Sequence, residues 1–240
     1  MKDIEAIAAL QDPVRRRLYE YVAVRGREVG RNEASEAVGV GRTLAAHHLD
    51  KLVEAGLLES GSRRLTGRSG PGAGRPAKVY MRARVERSVS LPARDYLTAA
   101  ELLAEAAEEA GLDDRLCAVA RARGEALRGR EAPCGSLEEA MEVLSARGYE
   151  PHLETTEGAG GADGLEGGQE AEGAGAGRRV VRMRNCPFHV VAERFPPLVC
   201  GMNLALLEGL LGADGPVRAR MDARPGECCV AVEHSNDNNR

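Results

Sequence analysis

The 240-residue sequence predicts an α+β chain, and three observations carry that expectation. Apolar residues recur at helical spacing, between recognisable helix caps, through residues 3–56 and again through 96–146. Two short strand-like runs, Leu57-Leu58-Glu59 and Lys78-Val79-Tyr80-Met81, bracket a loop rich in Gly, Pro and Ser. From Tyr149 to Val232, strand-like and helical runs alternate. Aromatic residues make up only 3% of the chain and Trp is absent, so the core is expected from Leu, Val and Ala, which favours helices.

In the first region, Ile4, Ile7, Ala8 and Leu10 share a helical face. Asp12-Pro13 reads as an N-cap followed by proline at the first helical position. Val14, Leu18, Tyr21 and Val22 then form an apolar stripe that ends near Gly26. Asn32 is expected to cap a short helix over Glu33–Val38, closed by Gly39. After the Gly39-Val40-Gly41 turn, a longer helix is expected over Arg42–Ala55. Leu44, His48, Leu49, Leu52 and Val53 face inward, and Gly56 closes it. Short helix, glycine turn and longer helix make a helix-turn-helix pattern, the second helix of which enters the DNA major groove. The outward residues are Arg42, Thr43, Ala46, His47 and Lys51. Arg42 is the expected base reader, through a bidentate contact to guanine, and Thr43 suits a thymine methyl or a phosphate. His48 is expected to be a packing residue.

Charge points the same way. The net charge of −4 conceals a split, with 17 Lys/Arg against 11 Asp/Glu in residues 1–90 and 16 against 26 in residues 91–240. Phosphate contact needs local positive charge rather than a high overall pI. No acid occurs from Ser60 to Val85, where Arg63, Arg64, Arg68, Arg75 and Lys78 are among seven basic residues. A flexible basic hairpin beside a groove-entering helix reads as a wing that follows the backbone or enters the minor groove. A solvated linker is the alternative reading.

The run Thr43-Leu44-Ala45-Ala46-His47-His48-Leu49-Asp50-Lys51-Leu52, with Ala55-Gly56-Leu57-Leu58, resembles the ArsR-like winged-helix regulators. The stretch Arg63-Arg64-Leu65-Thr66-Gly67-Arg68-Ser69-Gly70-Pro71-Gly72-Ala73-Gly74-Arg75-Pro76-Ala77-Lys78-Val79-Tyr80 narrows the resemblance to the branch that contains the SufR-type repressors.

The expected organisation is a winged helix-turn-helix DNA-binding domain over 1–88, a helical dimerisation region over 89–133 and a small α/β sensor domain over 134–235. A disordered tail follows over 236–240. In the middle region, Tyr96, Leu97, Ala100, Leu102, Leu103 and Ala106 mark one amphipathic helix. Asp113–Arg130 is the second, with Leu116, Cys117, Val119, Ala120 and Leu127. Such helices either pair two protomers, so that a homodimer reads two half-sites, or pack within the chain. Cys117 is read as a small core residue. Leu137–Ala146 is a further helix and Tyr149–Glu154 a strand. Residues 158–177 include 9 Gly and too little apolar surface to order themselves, so a flexible acidic loop is expected there.

The last region concentrates soft ligands. After an expected strand over Arg179–Met183, Cys186-Pro187-Phe188-His189 places a thiol and an imidazole three residues apart. Cys200 follows, at the start of an expected helix over Leu198–Leu211. Cys228-Cys229 comes later, with strands expected over Val217–Ala223 and Cys228–Val232. No stretch approaches the length of a membrane span, and the start Met1-Lys2-Asp3-Ile4-Glu5 lacks a signal peptide's apolar stretch. A cytoplasmic protein is therefore expected, in which clustered cysteines mean metal, cluster or redox chemistry rather than disulfides. Spacing alone leaves an iron–sulfur cluster, a Cys3His zinc site and buried apolar cysteines open.

Asn185-Cys186-Pro187-Phe188-His189, Pro197-Leu198-Val199-Cys200-Gly201-Met202-Asn203 and Gly226-Glu227-Cys228-Cys229-Val230 resemble the SufR-type sensing domain. That resemblance implies a [4Fe–4S] cluster held by Cys186, Cys200 and Cys228, with Cys229 as the alternative third ligand and His189 as a possible fourth. It further implies a homodimeric repressor of cluster-assembly genes that binds a double-stranded operator in its cluster-bound form. The other readings are a winged-helix regulator with structural zinc or a direct thiol switch, and a thiol-dependent enzyme. The enzyme reading lacks a phosphate-cradling glycine loop and an orienting partner for a Cys186/His189 pair. No enzyme activity, small-molecule substrate or membrane partner is therefore expected.

Overall fold

The computed structural model describes residues 2–63, 76–156 and 178–235. The expected loop over 158–177, the tail over 236–240 and the basic residues Arg64, Arg68 and Arg75 lie outside the described residues. The chain is mixed α+β and divides into two units, Met1–Arg94 and Asp95–Arg240. The expected helical middle and the cysteine-bearing region thus fall within one unit.

The first unit contains α1 (Lys2–Ala8), a 3-10 turn over Ala9–Gln11, α2 (Pro13–Arg25), β1 (Val29–Gly30), α3 (Arg31–Val38), α4 (Arg42–Glu54), β2 (Leu58–Arg63) and β3 (Ala77–Arg82). Asp12 caps α2 by accepting a 2.8 Å hydrogen bond from the Arg15 amide. Proline stands at the start of this helix, and Gly26 ends it. Gly39, at φ +69°, turns the chain out of α3, in a conformation that costs a side-chain-bearing residue about 1 kcal/mol or more.

Two local expectations shift. Helix α3 begins at Arg31 with Gly30 as its N-cap, not at Asn32. Gly30 is held extended by pairing with Val79 in a strand too short to read from pattern. On α4, Leu44 is 45% exposed, while its neighbour Ala45 is fully buried. Ala45 thus shares the buried face of the helix with the residues three, four and seven positions on. His48 is buried, as are Leu49 and Leu52.

The antiparallel sheet has the order β1-β3-β2. It joins the core through Val29, Leu58 and Tyr80, packed with Leu18, Val22, Ala34, Ala45, Leu49 and Leu52. The Tyr80 hydroxyl, inside this core, donates to Asp50 Oδ1 at 2.7 Å. Burying a phenol without such a partner would cost on the order of 1–3 kcal/mol.

The second unit contains α5 (Tyr96–Glu109), α6 (Asp113–Arg128), α7 (Leu137–Ser145), β4 (Pro151–Thr156), β5 (Arg178–Met183), α8 (His189–Arg194), α9 (Pro196–Leu211), β6 (Val217–Met221) and β7 (Val230–His234). The four strands form an antiparallel sheet in the order β4-β5-β7-β6. One core gathers Leu137, Ala140 and Leu144 of α7, Val181 and Met183 of β5, Leu207, Leu210 and Leu211 of α9, and Val230 and Val232 of β7. Helix α9 is apolar nearly all round because it is covered from more than one side, by this core and by α6.

Helix α6 meets α9 backbone to backbone. A Cβ on Gly124 would collide with the Leu206 carbonyl, and one on Gly209 with the Arg121 carbonyl. One face of α6 is therefore occupied within its own chain. Leu97, Leu102, Leu103, Leu112, Val119 and Leu127 on and beside α5 and α6 remain more than two-fifths exposed.

Candidate metal centre and nucleic-acid interface

Arg42, Thr43 and His47 are exposed on α4, and Ala46 is half-buried between them. Arg42 makes no ion pair among the described residues, so its guanidinium is available to a ligand. Three other cations among the described residues are already engaged. Lys51 pairs with Glu54 at 2.7 Å, Arg63 with Glu28 at 3.1 Å, and Lys78 with Asp50 at 2.7 Å. These are exposed pairs, each worth at most about 1 kcal/mol, and a phosphate can displace them cheaply. Arg31, Arg42, Arg63 and Lys78 line one open cleft between α3, α4 and the β2–β3 hairpin. The sequence reading missed Arg31. Its position as the first residue of α3, directly after Gly30, was the available signal.

The cysteines divide into four and two. Cys186 lies in the turn that leaves β5, Cys200 in the first turns of α9, and Cys228 and Cys229 in the turn that enters β7. Hydrogen bonds tie these turns together. The Cys228 amide donates to the Met183 carbonyl at 2.9 Å, and the Asp222 amide to the Cys229 carbonyl at 2.8 Å. Both cysteines therefore precede the strand and do not alternate along it.

The four side chains converge. Interaction with the neighbouring Cys186 and Cys229 thiols, reinforced by the Val230 amide and Asn203, pulls the Cys228 thiol well below its ordinary range. The same interaction, with burial, pushes the Cys186 thiol up. Cys229 is likewise pushed up by its bonds to Cys228 and, beyond the cost of burial, to Cys200. The titration of Cys186, Cys228 and Cys229 thus belongs to the group rather than to any one residue.

Asn203, fully buried on α9, donates its amide to Cys228 Sγ at 3.4 Å and accepts the Tyr149 hydroxyl at 2.5 Å. Asn203 was quoted in the sequence without a role. Its spacing of three residues from Cys200 in an apolar helix was the signal, since that spacing shares a helix face.

The other candidates stand apart from this set. His189 is 64% exposed and its Nε2 lies 3.2 Å from Glu193, one turn along α8. Cys117 sits on α6 against α9, where a Cβ on Gly201 would lie 3.5 Å from its Sγ. Burial raises its pKa, as do Asp114 and Asp113. Cys134 is buried in the main core, and burial raises its pKa too.

The donor chemistry suits a thiophilic metal or an iron–sulfur cluster: four soft sulfurs on three segments that the fold fixes. Among the described residues, no three or more His, Cys, Asp or Glu groups stand at the spacing of a single bound ion.

The turn that carries Cys228 and Cys229 is braced from the opposite side. Residues alternate along β5, so Val181 and Met183 enter the core while Arg182 points to the other face. Arg182, 1% exposed, pairs with Asp222 and with Glu154 at 2.9 Å, and lies 3.9 Å from Glu227. Arg224 adds a 2.9 Å contact to Glu154. Arg224 first and Arg182 next hold Glu154 below its ordinary 4.5. Burial raises Asp222, but Arg182 and Arg220 more than offset this, leaving it below 3.8.

Arg182→Met is expected to destabilise the chain by about 3 kcal/mol, because it leaves clustered carboxylates without their central cation. The midpoint of urea unfolding measures this. The sign with pH follows from the lowered carboxylates. The network's contribution is complete above the ordinary carboxylate range and is lost as pH falls through the depressed folded values. The melting temperature of the wild type should therefore fall on acidification below that range, and that of Arg182→Met should fall less.

No helix among the described residues is long and apolar enough to cross a membrane. Comparison with protein-family models, with curated proteins and with solved structures finds no match to this chain.

Proposed function

We propose that the chain is a cytoplasmic, homodimeric transcriptional regulator whose first unit is a winged helix-turn-helix and whose second unit senses through a thiolate-held [4Fe–4S] cluster. The observation that carries this reading is the convergence of Cys186, Cys200, Cys228 and Cys229, in a chain that also carries the exposed Arg42, Thr43 and His47 on a helix beside a basic hairpin. Helix α4 enters the major groove, Arg42 reads a guanine edge, and Arg31, Arg63 and Lys78 follow the phosphates. The exposed leucines and valine of α5 and α6 bury themselves against a second copy.

The cluster, when bound, supplies a redox-active, labile centre. Cys186, Cys200 and Cys228 would hold it, and Cys229 would provide a fourth sulfur. Held so, Cys186 in the β5–α8 turn and Cys228 in the β6–β7 turn would be fixed, and their release would alter operator affinity. By the resemblance, the cluster-bound form represses cluster-assembly genes. A direct thiol switch is the second reading, favoured by the Cys228 thiol, which its Cys186 and Cys229 neighbours hold below its ordinary range.

The DNA assignment is tested by selecting duplexes from a random pool with the purified chain, then titrating wild type and Arg42→Ala at several salt concentrations. Arg42→Ala is expected to lose about 1–3 kcal/mol of discrimination at one base pair. Arg68→Ala and Arg75→Ala are expected to weaken all sequences alike and to reduce the salt slope. Equal operator binding by all three variants and the wild type overturns the assignment.

A further inference from the structure

We propose that Asn203, anchored from behind by Tyr149, is the positioning residue for Cys228, and that its amide sets how tightly the four-cysteine set holds a thiophilic metal. The inference rests on the metal reading of that set.

Both groups of the Asn203 amide are engaged, and in opposite directions. The Tyr149 hydroxyl donates to Oδ1 at 2.5 Å, and Nδ2 donates to Cys228 Sγ at 3.4 Å. Asn203 is 0% exposed and Tyr149 only 4%, so neither has water as an alternative partner. A buried amide has a desolvation cost that leucine of similar size lacks, yet α9 places one here among Leu198, Val199, Ala205 and Leu207. The helix register explains what it faces. Asn203 follows Cys200 by three residues and precedes Leu207 by four, so all three lie on the face turned to the sheet and to the β6–β7 turn.

Tyr149 fixes the amide's sense. Burial holds the phenol's proton in place, and with that hydroxyl donating to Oδ1 the N–H points at the sulfur. An N–H···S bond withdraws electron density from a thiolate and holds its lone pairs in one orientation. Such outer-shell contacts tune ligand affinity and, in clusters, reduction potential. Cys228 is also the sulfur on which Cys186 and Cys229 converge. Orienting it orients the set.

The test uses the full chain, reduced and metal-free, titrated anaerobically with Cd²⁺ against a chromophoric chelator while the thiolate-to-cadmium charge-transfer band is followed. Asn203→Leu and Tyr149→Phe are each expected to weaken Cd²⁺ binding by about 10-fold or more. The band should move to lower energy in both, because the sulfur becomes more electron-rich without its N–H donor. The double variant should be no weaker than Asn203→Leu alone, since Tyr149 acts through the amide. A merely structural loss would lower the melting temperature without moving the band. Tyr149→Phe removes one hydroxyl and carries the test alone if Asn203→Leu does not fold. Wild-type affinity and band position in the variants overturn the inference and leave the metal site standing. A wild-type chain that develops no charge-transfer band overturns the metal reading and the inference with it.

Discussion

Cys228→Ser is expected to abolish metal and cluster retention by anaerobically prepared protein. Cys228 Sγ is the acceptor on which the Cys186 and Cys229 thiols, the Val230 amide and Asn203 all converge. A serine hydroxyl in its place is a hard, neutral donor that stays protonated at neutral pH, so the set loses the soft sulfur at its centre. Cys200→Ser and Cys186→Ser should behave alike, because each removes a sulfur from the same set. Cys117→Ser is the contrasting variant, since Cys117 lies on α6 and faces Gly201 rather than the converging thiols. Cys134→Ser should retain metal while losing stability, because it places a hydroxyl inside the main core. Bound iron and zinc per chain measure all five variants. Equal loss from Cys117→Ser and Cys228→Ser contradicts the division of the cysteines into four and two.

Gly209→Ala is expected to destabilise the second unit by about 3 kcal/mol, the upper part of the usual cost of overpacking. Its new methyl would fall on the Arg121 carbonyl, which belongs to a helix backbone and cannot rotate away as a side chain can. The helices must then separate, which loosens the contacts of α9 with the core beneath it. Gly124→Ala produces the reciprocal collision with the Leu206 carbonyl. Because both substitutions force one separation, their combined cost should fall short of the sum of the two. Equilibrium urea unfolding checks this: the midpoint falls in each single variant, and the double variant lies only slightly below. Metal retention should fall too in partly destabilised conditions, since α9 carries Cys200 and Asn203.

Much of this architecture was legible because caps and periodicity are local. Asp12-Pro13, Gly26, Gly39 and Gly56 marked the ends of α2, α3 and α4 to within a residue or two, since each acts through its own backbone geometry. What sequence left out depended on distant partners. Strand β1 has two residues and exists through its pairing with Val79 and Tyr80. Ala45, not Leu44, enters because it shares the helix face of the buried His48, Leu49 and Leu52, and that phase outweighs the more apolar side chain. Helix α8 (His189–Arg194) went unread, and with it the exposure of the His189 side chain, which lies against Glu193 although its amide donates to the Cys186 carbonyl at 3.0 Å.

The site was legible in its parts and not in its assembly. Cys186, Cys200, Cys228 and Cys229 were all visible as soft ligands, but spacing left open which sulfurs meet. Cys228 and Cys229 seemed to point to opposite faces of a strand. The strand begins two residues later than expected, at Val230, and the turn before it lets both join the set. Asn203, Tyr149 and Arg182 carry no motif. A buried amide, phenol and guanidinium acquire meaning only from the sulfur or carboxylate that faces them.

The most direct test of the central claim is the visible absorption spectrum, with iron, sulfide and zinc analysis, of the full chain purified under strict anaerobiosis. The account predicts a brown protein with about four irons per chain, and a colourless one when Cys186, Cys200 or Cys228 is replaced by serine. A wild-type protein that is colourless as purified, and that stays colourless after reconstitution with iron and sulfide, contradicts it.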